Sequence, residues 1–271
     1  MGAGGRSRTF RLPFKAISAV VDWVDLTVDT NASVVKVEVR PGYSNGGISD
    51  RKTGIPVVGY QQLLEWARQG ISHYWSRDGS RANGIAGPIA LEGKQYEVIV
   101  DAKVNKIPSA PSFRLIEDQD EEFGRSTSLA VVRKLVLSSG FYFHAYVTKA
   151  RRSVGWAMTQ AEGNFKETAA HEFGHLILNA YEGDPLVPTR SWSHKGTSTV
   201  LTQKPLDDHP SPTSGEIDVM HYFSGYTTSA DEMRSRTAAA ADDVKGLIWI
   251  AVESRVIISP VEAGHCSEPG M

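Results

Sequence analysis

His171 and His175 stand four residues apart with Glu172 beside the first, spelling His-Glu-x-x-His. On a helix that spacing puts both imidazoles on one face, with Cβ atoms roughly 5–6 Å apart. Both rings can then reach a single metal ion at about 2.0–2.1 Å. Glu172 projects beside them, placed to take a proton from a metal-activated water. The chemistry open to these three groups is metal-assisted hydrolysis, with Zn2+ the expected ion. Two histidines and a glutamate within an otherwise apolar helix are costly to bury without a partner, and a metal is the simplest compensation.

The segment around the motif must be a helix for this to work. Asn164 followed three residues later by Glu167 resembles a capping box and predicts a helix start. Ala169, Ala170, Phe173, Leu176, Ile177 and Leu178 make the rest helical and largely buried, over about residues 164–181. Gly183-Asp184-Pro185 should stop it.

Upstream, Asp25–Thr30 and Val34–Arg40 read as strands, since Val35, Val37 and Val39 alternate with polar residues. Gly59–Ser76 carries Tyr60, Leu63, Leu64, Ala67, Ile71, Tyr74 and Trp75 at helical spacing, a stripe suited to core packing. Alternation from Tyr96 to Val104 predicts another strand. Ser112–Glu117, Leu129–Leu137 and Phe141–Thr148 are further candidates. A Pro-, Ser- and Thr-rich stretch covers residues 182–215, and a helix is expected over Ala238–Ser254. Loops of that length are uncommon unless functional, so this one is expected to wall a cleft.

Strands and a helix, the motif helix, a long loop and a closing helix predict an α+β fold, with a mixed sheet packed on the motif helix. Residues 1–18 read as a loosely held start or linker remnant, and residues 19–271 as one domain with its core at about 59–255.

Composition narrows the function. With 41% hydrophobic and 22% charged residues among 271, the chain is ordinary for a globular protein. A net charge of −2 gives no footprint for nucleic acid. The apolar runs are too short for a membrane span. The single Cys266 excludes an intrachain disulfide and a cysteine-rich zinc ribbon. Met1–Arg8 lacks the apolar stretch of a signal peptide, so export by the general secretory route is not expected.

Catalytic zinc takes three protein ligands and keeps one position open. In metzincins the third is a histidine six residues after the second motif histidine, following a glycine at three. Leu178 and Tyr181 occupy those positions here, so that pattern fails. His194, His209, Glu216, Asp218 and His221 remain as downstream candidates. The Met220-His221-Tyr222 core of Gly215–Phe223 resembles the Met-turn of metzincins, in which a methionine underlies the metal and a tyrosine faces substrate.

Residues 164–223 together resemble the C-terminal zinc-metallopeptidase (zincin) toxin domains of spike (VgrG) and related effectors of bacterial type VI secretion. The His-Glu-Phe-Gly-His core, Ser191-Trp192-Ser193-His194-Lys195-Gly196-Thr197 and the Gly215–Tyr222 stretch carry the resemblance. It extends more weakly through His73–Arg77 and Tyr96–Val104. It implies a zincin-like fold and an antibacterial toxin. It implies two histidines and one acidic ligand, the acid matching Glu216, with Asp218 second. His194 and His209 rank behind them as ligands, and His194 is open to lining the cleft, stabilising an oxyanion or standing as a solvated loop histidine. It further implies a protein or peptide substrate, an immunity protein as partner, membership of a larger secreted spike protein, and action in the periplasm of a target cell.

In the expected reaction Glu172 passes the water proton to the leaving amine, and Tyr222 or His221 donates a hydrogen bond to the oxyanion. An extended substrate is expected to add to an edge strand, for which Phe141–Thr148 is the candidate. Two alternatives stand beside this reading. One is a zinc amidase acting on peptidoglycan stem peptides; the other is a non-catalytic, zinc-stabilised binding module.

Overall fold

A computed structural model of the chain describes residues 22–46, 48, 58–104, 110–117, 126–128, 133–137, 158–181 and 189–256. The expected strand at Phe141–Thr148, the start at 1–18, Cys266 and part of the loop after the motif helix lie outside the described residues.

The fold is α+β with mixed sheets. In the first sheet β1 (Val24–Asp29) pairs antiparallel with β2 (Val34–Val39), across a turn whose Asn31 and Ala32 amides donate to the Asp29 carboxylate, each at 2.9 Å. The alternation read from Val35, Val37 and Val39 is real: all three are buried. A third strand (Gly42–Asn45) is β3. After it comes α1 (Tyr60–Trp75), then a 3-10 turn at Ala82–Gly84. The hairpin of β4 (Ile89–Leu91) and β5 (Lys94–Ala102) follows, and β5 runs parallel to β2. The sheet order is β1-β2-β5-β4.

A second sheet joins β3 to β6 (Ser112–Glu117), β7 (Thr127–Ser128) and β8 (Arg133–Leu137), in the order β3-β6-β8-β7. Both β3–β6 and β6–β8 are parallel. These parallel pairings join residues far apart in sequence, and alternation alone does not reveal them.

The motif lies on α2 (Met158–Tyr181). This helix begins six residues before Asn164, so Asn164 is inside it and is not the cap expected from the Asn164–Glu167 pattern. Two contacts lock α2 to α1. Gly70 lets the backbones touch, because a Cβ there would lie 2.1 Å from the Lys166 carbonyl oxygen. The buried Trp75 indole donates to the Ala170 carbonyl at 3.0 Å. Phe173 then packs edge-on against both Trp75 and Trp23, with centroids at 5.3 and 6.1 Å. A motif helix held on several sides in this way presents its histidines in one orientation only.

After α2 come α3 (Thr189–Trp192), β9 (Ile217–Asp218), α4 (Ala230–Arg236), β10 (Thr237–Ala238) and α5 (Ala241–Val256). Ser229 caps α4 by accepting from the Glu232 amide. Parallel pairing of β9 with β10 ties the segment before Met220 to the start of the closing helix. That helix begins at Ala241 rather than Ala238, because Thr237 and Ala238 are used as strand. Among the described residues no helix is long and apolar enough to cross a membrane.

Candidate metal centre

His171 and His175 meet a third histidine, His194, and one ligand atom from each lies within 4.8 Å of the others. All three are buried. The rings sit edge-to-face or stacked, with centroids 4.8 Å apart for His171–His175, 5.1 Å for His171–His194 and 5.0 Å for His175–His194. Neutral imidazole is the form that ligates metal.

An oxygen engages Nδ1 of each ring. His171 Nδ1 donates to the Val219 carbonyl at 2.7 Å, which assigns its proton to Nδ1 and leaves Nε2 as a lone-pair donor. His175 Nδ1 meets Ser191 Oγ at 2.9 Å, and His194 Nδ1 meets Ser198 Oγ at 2.6 Å. Metal-binding histidines are commonly oriented by such outer contacts. The donor set therefore fits a metal ion held by three Nε2 atoms.

His194 arrives on a strained loop. His194, Lys195 and Gly196 all have positive φ, at 50°, 60° and 88°. Left-handed backbone costs roughly 1–2 kcal/mol per non-glycine residue, so the surroundings must hold the loop. Lys195 does this by reaching two carboxylates, Asp218 and Asp243, the second at 3.0 Å. Burial works against the charge on Lys195, but the two acids outweigh it and hold its pKa above the ordinary lysine value. Thr197 adds a second tie: its hydroxyl donates to the His194 carbonyl at 2.8 Å and accepts from the Tyr222 amide at 2.9 Å.

Beneath the helix lies Met220, whose sulfur occupies the space a side chain at Gly174 would need. Tyr222 stacks on His194 at 3.7 Å and lies nearly parallel to His171 at 5.2 Å. Tyr222 also lines a cavity of about 320 Å³ together with His171, Glu172, Asp218 and His221. Glu172 is buried beside the histidines. His221 lies 3.4 Å from Asp218, and burial pushes its pKa below the usual histidine value despite that neighbour.

Glu216, the acidic ligand expected from the resemblance, is placed elsewhere. Its two carboxylate oxygens accept from Arg77 at 2.8 and 3.0 Å, and one also accepts from the Ala86 amide at 2.9 Å. The group that can hold a metal has His194 where Glu216 was expected. Glu216 is drawn away because a buried guanidinium, itself anchored on the Gly87 and Ala239 carbonyls, offers a bidentate partner. Asp218 is likewise committed, to Lys195, and to the Met220 amide at 2.9 Å. His209 lies outside the group, stacked on Phe223 at 5.5 Å.

Sequence reading missed Ser191, Ser198, Thr197, Lys195 and the Val219 carbonyl. The nearest signal was the serine three before and the serine four after His194, flanking Gly196.

Fold and site together define an α+β protein with a buried three-histidine group able to hold a metal ion. Compared with protein-family models, curated proteins and solved structures, the chain has no match.

Proposed function

We propose that this chain is a zinc-dependent hydrolase of peptide bonds, with His171, His175 and His194 as ligands and Glu172 as general base. The observation that carries this reading is the convergence of three buried imidazoles, each with Nδ1 engaged, beside a cavity that His171 and Glu172 line. Three nitrogen donors are a set that zinc accepts while retaining an open position. A purely structural site would have no use for a carboxylate in the place of Glu172.

Zinc in such a site supplies Lewis acidity, which makes water acidic near neutrality and polarises a carbonyl. The chain's own residues do the rest. Glu172 accepts a proton from the attacking water and returns it to the departing amine. Tyr222, stacked on the ligand histidines, and His221, one residue before it, are the hydrogen-bond donors for the developing oxyanion. The oxygens on Nδ1 hold the rings in orientation and raise their basicity.

The reading as a zincin-like antibacterial effector, delivered by specialised secretion to the periplasm of a target cell and neutralised by an immunity protein, is supported by the sequence resemblance. Expression of wild type and Glu172→Ala, each directed to cytoplasm or to periplasm, tests compartment and catalysis together. Toxicity confined to periplasmic wild type is the expected result; equal toxicity of the variant would overturn it. Purified protein incubated with peptides and, separately, with sacculi distinguishes peptidase from stem-peptide amidase.

A further inference from the structure

The cavity beside the histidines has a charge pattern that the reaction does not use. Its described lining residues include three carboxylates, Glu167, Glu172 and Asp218, and no lysine or arginine. Glu172 is taken by the chemistry and Asp218 by Lys195. That leaves Glu167, one helical turn before His171 on the same face of α2. Among the described residues it pairs with Arg234, whose Nε lies 3.9 Å away and whose guanidinium is also bonded to Asp231 at 3.1 Å. Arg234 is thus shared and only partly offsets the charge.

We infer that this cavity is a subsite for a cationic substrate side chain, and that Glu167 is its specificity-determining residue. The inference rests on the hydrolase reading, which it deepens by naming a substrate class. Ile217, Val219, Phe223 and Met233 line the same cavity and suit the methylene stem of a lysine or arginine. Tyr226, also in the lining, adds an aromatic ring of the kind that attracts a cation. Partial desolvation supports the assignment: burial pushes the Glu167 carboxyl up to about 7, even with Arg234 opposing. A carboxylate in that condition gains more from an arriving cation than one in open water does.

Equilibrium binding measured by NMR titration with Nα-acetyl-lysine amide, Nα-acetyl-arginine amide and Nα-acetyl-norleucine amide tests this without requiring turnover. Wild type should bind the two cationic probes on the order of tenfold tighter than norleucine, a typical worth for one partly buried ion pair. Glu167→Gln, nearly the same size, should bring all three to parity while its spectrum stays folded. Equal binding by wild type, no binding of any probe, or a preference that survives in Glu167→Gln would overturn the inference. Hydrolysis of a mixed peptide library by the zinc-loaded protein is read in parallel. Cationic preference without hydrolysis removes the hydrolase and keeps the subsite; hydrolysis without preference does the reverse.

Discussion

Met220 packs its sulfur into the gap left by Gly174, the one residue of the His-Glu-Phe-Gly-His core without a side chain. A Cβ on Gly174 would meet that sulfur at 2.1 Å and the Trp75 ring at 3.1 Å. The turn that supplies the Val219 carbonyl to His171 is therefore seated directly against the helix that carries His171.

Gly174→Ala should destabilise the fold by about 1–3 kcal/mol through overpacking, read from the urea midpoint. In a Met220→Ala background the same change should become neutral or stabilising by up to about 1 kcal/mol, since alanine is the better helix former. A penalty of equal size in both backgrounds would show that Met220 is not the obstacle.

His194 and Glu216 make opposite predictions about metal. His194→Ala should purify with zinc far below stoichiometric, measured by elemental analysis. Glu216→Ala should keep its zinc and lose stability instead, by about 3–5 kcal/mol, because Arg77 is left buried without its counter-ion. Loss of zinc in the Glu216 variant with retention in the His194 variant would restore Glu216 as ligand.

Glu172→Ala should retain zinc and lose peptide hydrolysis by at least about 10²–10⁴-fold, the usual contribution of a positioned general base. Parallel zinc analysis and peptide digestion check both halves. A variant with wild-type turnover would remove Glu172 from the mechanism.

Glu167 should make stability depend on pH. Its folded pKa is raised to about 7 from the ordinary 4.5, so the folded state holds the proton more tightly than the unfolded chain. This contribution is fully present below about pH 4.5 and is lost as pH rises through about 7. Among the described residues, the charged and titratable groups around it include Arg234 on α4, Tyr74 on α1 and Tyr226, with His171, Glu172, Asp218 and His221 lining the same cavity. Glu167→Gln should therefore match wild type near pH 4 and exceed it near pH 8 in denaturant unfolding. A variant less stable than wild type at pH 8 would mean that the ion pair with Arg234 outweighs desolvation.

Much of this was legible in the chain. The Val35-Val37-Val39 alternation and the Tyr60–Trp75 stripe mark a strand and a helix by local periodicity, and both form. His171 and His175 needed only helical geometry to share a face, since four residues make about one turn. The start of α2 was misread because the Asn164–Glu167 pattern also suits a helix interior, and the helix begins at Met158.

The third member of the histidine group was a different kind of question. His194 lies nineteen residues beyond His175 on a loop of left-handed backbone, where no period operates. Its position depends on Lys195 finding Asp218 and Asp243, and on Thr197 finding the Tyr222 amide. Glu216 was the donor that the resemblance placed ahead of His194, yet Arg77, 139 residues away, takes both of its oxygens. Local sequence determines which side chains share a helix face, because bond geometry repeats every turn. Which carboxylate stays available and which histidine joins the group is decided by charge pairing across the folded chain, and that exists only once the distant segments have met.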